Sequence, residues 1–226
     1  MTAMESPHAA FRDRTLAEIA TSLPGATGIF RRRKLDFCCG GRVPLAQAAA
    51  QRGVSIDELE SELEGVAALG VAADRPESTE GLIELIETRY HAAHRRELPE
   101  LVRLARRVEA VHKDKPDVPR GLAALLEQMS VELEAHMQKE EQVLFPLMRR
   151  GGHPMIVQPI AMMVAEHDDH GAHLRSLEEI TDDFTPPAGA CTTWRALYVG
   201  ARKLAEDLVE HIHTENNVLF PRFSSV

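Results

Sequence analysis

One phrase is written twice in this chain. Residues 136–146 read HMQKEEQVLFP and residues 211–221 read HIHTENNVLFP, and both reduce to His-x-x-x-Glu-x-x-Val-Leu-Phe-Pro. On an α-helix, residues four apart lie one turn up on nearly the same face. His136 with Glu140, and His211 with Glu215, therefore each aim an imidazole and a carboxylate at one point. A lone pair of this kind is usually a surface contact. Here, however, a further histidine stands upstream of each copy: His91 precedes His136 by forty-five residues, and His167 precedes His211 by forty-four. Each leads a His-x-x-His, with His94 and His170 as the second members, and periodicity alone does not choose within either pair.

Four imidazoles and two carboxylates are too many donors for one ordinary zinc site. They suit two metal ions, with the carboxylates bridging and the imidazoles terminal. Nitrogen and oxygen donors without thiolate point to iron ahead of manganese or zinc. His173 falls on a different face from His167 and is expected toward solvent or behind the site. His8, His112, His153 and His213 have no matched partner and are read as ordinary histidines.

The elements that must position these residues are helices. The run Leu122, Leu125, Met129, Leu133, His136, Glu140, Leu144, Leu147 steps by three and four, the period of a buried helix face. Leu197, Ala201, Leu204, Leu208, His211, Glu215, Leu219 does the same. Both His–Glu pairs thus continue an apolar stripe inward, where a charged glutamate is costly without an ion or hydrogen bonds. Two further long helices are expected, one from about Glu80 to Val111 and one carrying His167, Leu174 and Leu177. Pro99 is expected to kink the former. Short loops between long helices predict an all-α, antiparallel four-helix bundle over residues 80–226, with its site built from inward side chains. The near-equal offsets suggest two related helix hairpins.

Ahead of the bundle, residues 1–72 read as a small helical domain, followed by a linker, AADRPEST, at 72–79. Ser55 with Glu58 forms a capping box. The stretch Asp36-Phe37-Cys38-Cys39-Gly40-Gly41 reads as a turn in which paired glycines adopt backbone angles that other residues resist. The basic run Arg31-Arg32-Arg33-Lys34 reads as a solvated helix end. Three cysteines, two of them adjacent, make no disulfide framework, and Cys191 is expected to be structural. A formal charge of −9 argues against a nucleic-acid partner. No apolar stretch has the length of about 20 residues that spans a bilayer, and no secretory signal is evident, so the expected location is the cytoplasm.

With these stretches in view, the second part of the chain resembles hemerythrin-like di-iron bundles, and the whole chain resembles the repair-of-iron-centres family. DFCCGG at 36–41, RYHAAHRRELPEL at 89–101, HMQKEEQVLFP, EHDDH at 166–170, PPAGACTTW at 186–194 and HIHTENNVLFP carry the match. The resemblance implies His91, His136, Glu140, His167, His211 and Glu215 as ligands of a non-haem, oxo- and carboxylate-bridged pair of iron ions. It implies repair of iron–sulfur clusters damaged by nitric oxide or peroxide, with damaged iron–sulfur proteins as clients and nitric oxide or dioxygen as small ligands. It also implies roles for Glu132 and Glu166 behind the site, and a redox or iron-handling role for Cys38 and Cys39 in a domain that engages clients or a dimer mate. The competing expectations are a di-iron enzyme that reduces nitric oxide or peroxide, and a hemerythrin-type sensor or carrier.

Overall fold

A computed structural model describes residues 11–70 and 75–223. His8 and part of the expected linker lie outside the described residues. Four short helices come first: α1 (Leu16–Ser22), α2 (Ala26–Arg32), α3 (Leu45–Arg52) and α4 (Ile56–Ala68). Thr15 opens α1 with a full capping box, its hydroxyl accepting from the Glu18 amide while Glu18 reaches back to the Thr15 amide. Ser55 opens α4 in the same direction, accepting from the Glu58 amide. These caps satisfy N–H groups that have no partner within the helix. Leu16, Ile19, Ile29, Phe30, Phe37, Leu45, Leu59 and Leu63 then form one buried cluster.

The remainder is four antiparallel rods. The first is α5 (Thr79–Leu85), a π-helical turn (Ile86–His91) and α6 (Ala92–Val111). The second is α7 (Leu122–Lys139), a π turn (Glu140–Leu144) and α8 (Phe145–Arg149). The third is α9 (Val157–Ile180); the fourth is α10 (Thr192–Thr214) closed by a π turn (Glu215–Leu219). α6 packs on α7 and α10, and α9 completes the ring against the same two helices. No β-strand occurs among the described residues, and no helix among them is long and apolar enough to cross a membrane.

Pro99 lies inside the first bundle helix, as expected, and that helix also holds a π segment at Ile86–His91. Three sequence expectations need correction. After Glu140 the buried position passes from Leu147 to Met148, because a π turn holds one residue more than an α turn and shifts the face by one. Gly40 and Gly41 do not take positive φ. Gly41 is needed for room, since a Cβ there would fall 2.4 Å from the Phe37 carbonyl oxygen. The basic run is also more than a solvated end: Arg31 pairs with Glu210 on α10 at 3.0 Å, and Lys34 stands 3.4 Å from Asp183, both across the junction with the bundle.

Candidate metal centre

Three π turns flank the centre. In each, an N–H bonds a carbonyl five residues back: Phe145 to Glu140, Phe220 to Glu215, and Ala92 to Glu87. Pro146 and Pro221, each six residues beyond its glutamate, remove an N–H that would carry the α-helical ladder onward. π turns recur at functional sites, and these three each carry a member of the repeated set at one end: His91, Glu140 and Glu215. One apolar cluster (Leu82, Ile86, Phe145, Met148, Phe220 and neighbours) closes one side of the bundle interior, and another (Leu98, Leu101, Leu133, Leu208 and neighbours) fills the other. The site lies between them.

All six predicted residues converge there, each no more than 1% exposed. They form two groups of four potential donors that share both carboxylates: His91, His211, Glu140 and Glu215, and His136, His167, Glu140 and Glu215. In the first, Nε2 of His91 lies 3.2 Å from Nε2 of His211 and 3.3 Å from Glu140 Oε2, while His211 Nε2 lies 3.1 Å from Glu215 Oε1. In the second, Nε2 of His136 lies 3.1 Å from Nε2 of His167 and 3.5 Å from Glu140 Oε1, while His167 Nε2 lies 3.1 Å from Glu215 Oε2. Each carboxylate thus turns one oxygen to each group. The groups do not follow the hairpins, since each takes one histidine from either half. The repeat maps His91 onto His167 and His211 onto His136, so one group is the image of the other.

Hydrogen bonds behind the rings fix which nitrogen faces inward. His91 Nδ1 donates to Glu141 at 2.7 Å, His136 Nδ1 to Glu166 at 2.8 Å, and His167 Nδ1 to Asn216 Oδ1 at 2.8 Å. The Asn216 amide is oriented by its own donation to the Cys38 carbonyl at 3.0 Å. Such partners set ring orientation and raise donor basicity in metal sites. Phe145 stacks on His91 and Phe220 on His167, which explains the phenylalanine of the repeated phrase. Glu141 and Asn216 were not singled out from sequence, yet each directly follows the glutamate of its copy, a signal the repeat contained. The symmetry breaks once. Where Glu166 precedes His167 and holds His136, Tyr90 precedes His91 and stacks on His211, whose Nδ1 is buried without a hydrogen-bond partner.

With Nδ1–H given to Glu166 and Asn216, His136 and His167 face each other through their Nε2 atoms, 3.1 Å apart. Both Glu140 oxygens and Glu215 Oε2 are buried without a conventional hydrogen bond. Burial, then the nearby Glu215, pushes the Glu140 carboxyl well above the usual range. Burial opposes ionisation of Glu215 as well, but His211 and His167 outweigh it and hold that carboxyl low. Burial and the facing His211 bring His91 down to about 4, and burial with His167 likewise lowers His136, so both rings stay neutral. Three imidazoles whose Nδ1–H is engaged behind the ring, converging with two buried carboxyl groups short of hydrogen-bond partners, are a cation-binding arrangement. Metal–donor bonds of about 2.1 Å at near-tetrahedral angles set donors roughly 3.4 Å apart, close to the spacings here.

The other candidates sort as follows. His94 is buried beside His211 and His170 beside His136, with ring centroids 5.4 and 5.2 Å apart, and neither belongs to the two groups. Glu166 supports His136, as above, whereas Glu132 bonds none of the six and lies by His173. His213 is buried, accepting from Asn217 and edge-on to Phe37; His112 lies 3.2 Å from the sulfur of exposed Cys191. Cys38 is buried and Cys39 half-buried, their sulfurs 3.6 Å apart, with the Cys39 thiol directed at the His167 carbonyl at 3.4 Å.

A model of the hemerythrin HHE cation binding domain matches residues 83–223, and one of a domain of unknown function, DUF542, matches residues 12–67. The chain is 46% identical over 213 residues to the iron-sulfur cluster repair protein YtfE of Citrobacter koseri, covering 94% of this chain and 97% of that one. The chain belongs to this hemerythrin-like family of iron–sulfur cluster repair proteins. Proteins of the same name from Enterobacter sp. (strain 638) and Escherichia coli (strain SMS-3-5 / SECEC) are 47% and 46% identical over 214 residues, again covering 94% of this chain and 97% of theirs. The all-α bundle expected from the stripes is therefore the fold of a cation-binding family.

Proposed function

We propose that this protein repairs iron–sulfur clusters damaged by nitrosative or oxidative stress, in the cytoplasm, by delivering iron. In this reading His91 and His211, with one oxygen each of Glu140 and Glu215, would hold one iron ion, and His136 and His167, with the other two oxygens, would hold the second. The chemistry such a centre would supply is exchangeable iron for rebuilding a cluster. The chain does the rest. Glu141, Glu166 and Asn216 hold the Nδ1 protons so that three Nε2 atoms face inward, and burial disfavours the charged form of His91 and His136. The apolar clusters on either side exclude bulk water.

Two units divide the work: residues 80–226 hold iron, and residues 1–72 engage a client iron–sulfur protein or a second copy of the chain. Cys38 and Cys39 sit where the first unit meets the second, and the half-buried Cys39 is the thiol placed to handle iron or electrons. The observation that carries the reading is the shared-carboxylate pair of donor groups, in a chain nearly half identical to proteins named for cluster repair. The test adds iron-loaded protein to a nitric-oxide-inactivated iron–sulfur dehydratase. Activity should return faster than with the same amount of free ferrous iron; an equal rate rejects repair by this protein.

A further inference from the structure

Beside the two shared groups stands a third cluster that neither the repeat nor the family match assigns as a metal site of its own. Glu132 projects from α7, and His170 and His173, one turn apart, project from α9. One nitrogen of each ring and one carboxylate oxygen of Glu132 lie within 4.8 Å of one another. His170 is only 3% exposed, and both of its ring nitrogens are buried without a hydrogen-bond partner. A buried polar atom left unpaired costs about 1–3 kcal/mol, so two on one ring call for a ligand. His173 Nδ1, also buried and without a hydrogen bond, stands 3.4 Å from Glu132 Oε2, a spacing that suits two donors on one ion. Gln128 donates to Glu132 Oε1 at 2.9 Å, which orients that carboxylate.

We propose that Glu132, His170 and His173 form a third, mononuclear site for a divalent first-row transition cation. Two imidazoles and one carboxylate with open positions are the donor set of iron(II) and its neighbours. The site is separate from the inner pair. Its three residues bond none of the six inner side chains, and His170 meets His136 only edge-on, with ring centroids 5.2 Å apart. Solution ions can reach it, because the Glu132 side chain is 39% exposed and that of His173 16%. Sequence spacing offered His170 as a substitute for His167; the fold gives it different neighbours.

Cobalt(II) is a suitable probe, because its visible absorption reports nitrogen and oxygen ligation. The metal-depleted full chain is titrated anaerobically, with absorption and calorimetry counting bound equivalents. The wild type should bind one equivalent more than His173→Ala with Glu132→Gln, a pair at the accessible edge whose folding is checked by circular dichroism. His170→Ala should lose the same equivalent. Glu140→Leu with Glu215→Leu should lose the inner ions and keep this one. Equal stoichiometry and spectra in the wild type and the outer double variant would overturn the proposal, as would complete loss of binding in the inner variant. If the inner variant loses nothing while the outer variant loses one equivalent, the two-ion reading fails and the third site stands.

Discussion

Glu140 shows most sharply what the buried donors cost. Its carboxylate is fully enclosed, carries no conventional hydrogen bond and faces a second carboxylate. Without a metal ion the carboxyl is pushed toward its protonated form, and a bound cation would take the place of that proton; replacing buried charges by apolar groups is often neutral or stabilising by about 1–4 kcal/mol. Glu140→Leu with Glu215→Leu should therefore remove the two inner irons per chain while leaving the metal-free melting temperature unchanged or higher. Metal analysis and scanning calorimetry read both; an iron content equal to that of the wild type removes the ligand assignment. Asp207 is the opposite case, a buried carboxylate with its own cations. Burial alone would raise its carboxyl, but hydrogen bonds from Arg89 and Lys203, each at 2.7 Å, outweigh that and hold it below the usual range. A depressed folded value means stability present above the unfolded value of about 3.9 and lost as pH falls through the folded one. Asp207→Asn should cost about 1 kcal/mol at pH 7, both cations being half-exposed, and the difference should fade in strong acid. Urea melts across pH measure it, and a gap that persists or widens toward acid contradicts the assignment.

Among the elements, the α-helices were legible and the π turns were not. Apolar stripes located the four rods because burial follows the helical period, and they carried His136, Glu140, His211 and Glu215 inward with them. The choice of His91 over His94 and of His167 over His170 came from resemblance, since residues three apart share a face. Each π turn arises from backbone bonds that skip one residue further, which no periodicity of side chains announces before the phase has slipped, as it does at Met148. Hydrogen bonds behind the rings were half legible: Glu166 was marked by its position, while Glu141 and Asn216 needed the fold to show what they touch. Asn216 in the last π turn has two tasks, accepting from His167 and donating to the Cys38 carbonyl. Asn216→Ala should weaken metal binding by roughly 10–100-fold, the usual cost of losing such a partner. The same substitution should speed hydrogen exchange in the 36–41 turn. Competition with a chelator gives the affinity, and an unchanged affinity would show that stacking on Phe220 alone orients His167.

For the molecule as a whole, the question is how the first four helices report on the ion-binding bundle. The junction is built from Phe37, whose ring packs on Phe30 and edge-on to His213, and from two amide donations, Asn217 to the Phe37 carbonyl and Asn216 to the Cys38 carbonyl. Arg31 with Glu210 adds a half-exposed ion pair. These differ in kind. An exposed pair is worth about 0–1 kcal/mol, whereas emptying a buried phenylalanine site costs about 3–5 kcal/mol. Phe37→Ala should therefore destabilise residues 11–63 by several times more than Arg31→Ala does, with exchange accelerating there first and α6, α7, α9 and α10 retaining protection. Because Asn216 bridges the turn and His167, the same variant should also loosen iron, although no inner donor has changed. Hydrogen exchange with and without iron, alongside chelator competition, separates the two effects. Loss of protection spread evenly over both units would mean that they unfold as one body. Iron held as tightly as in the wild type would mean that the cysteine turn rests on the bundle without influencing its donors.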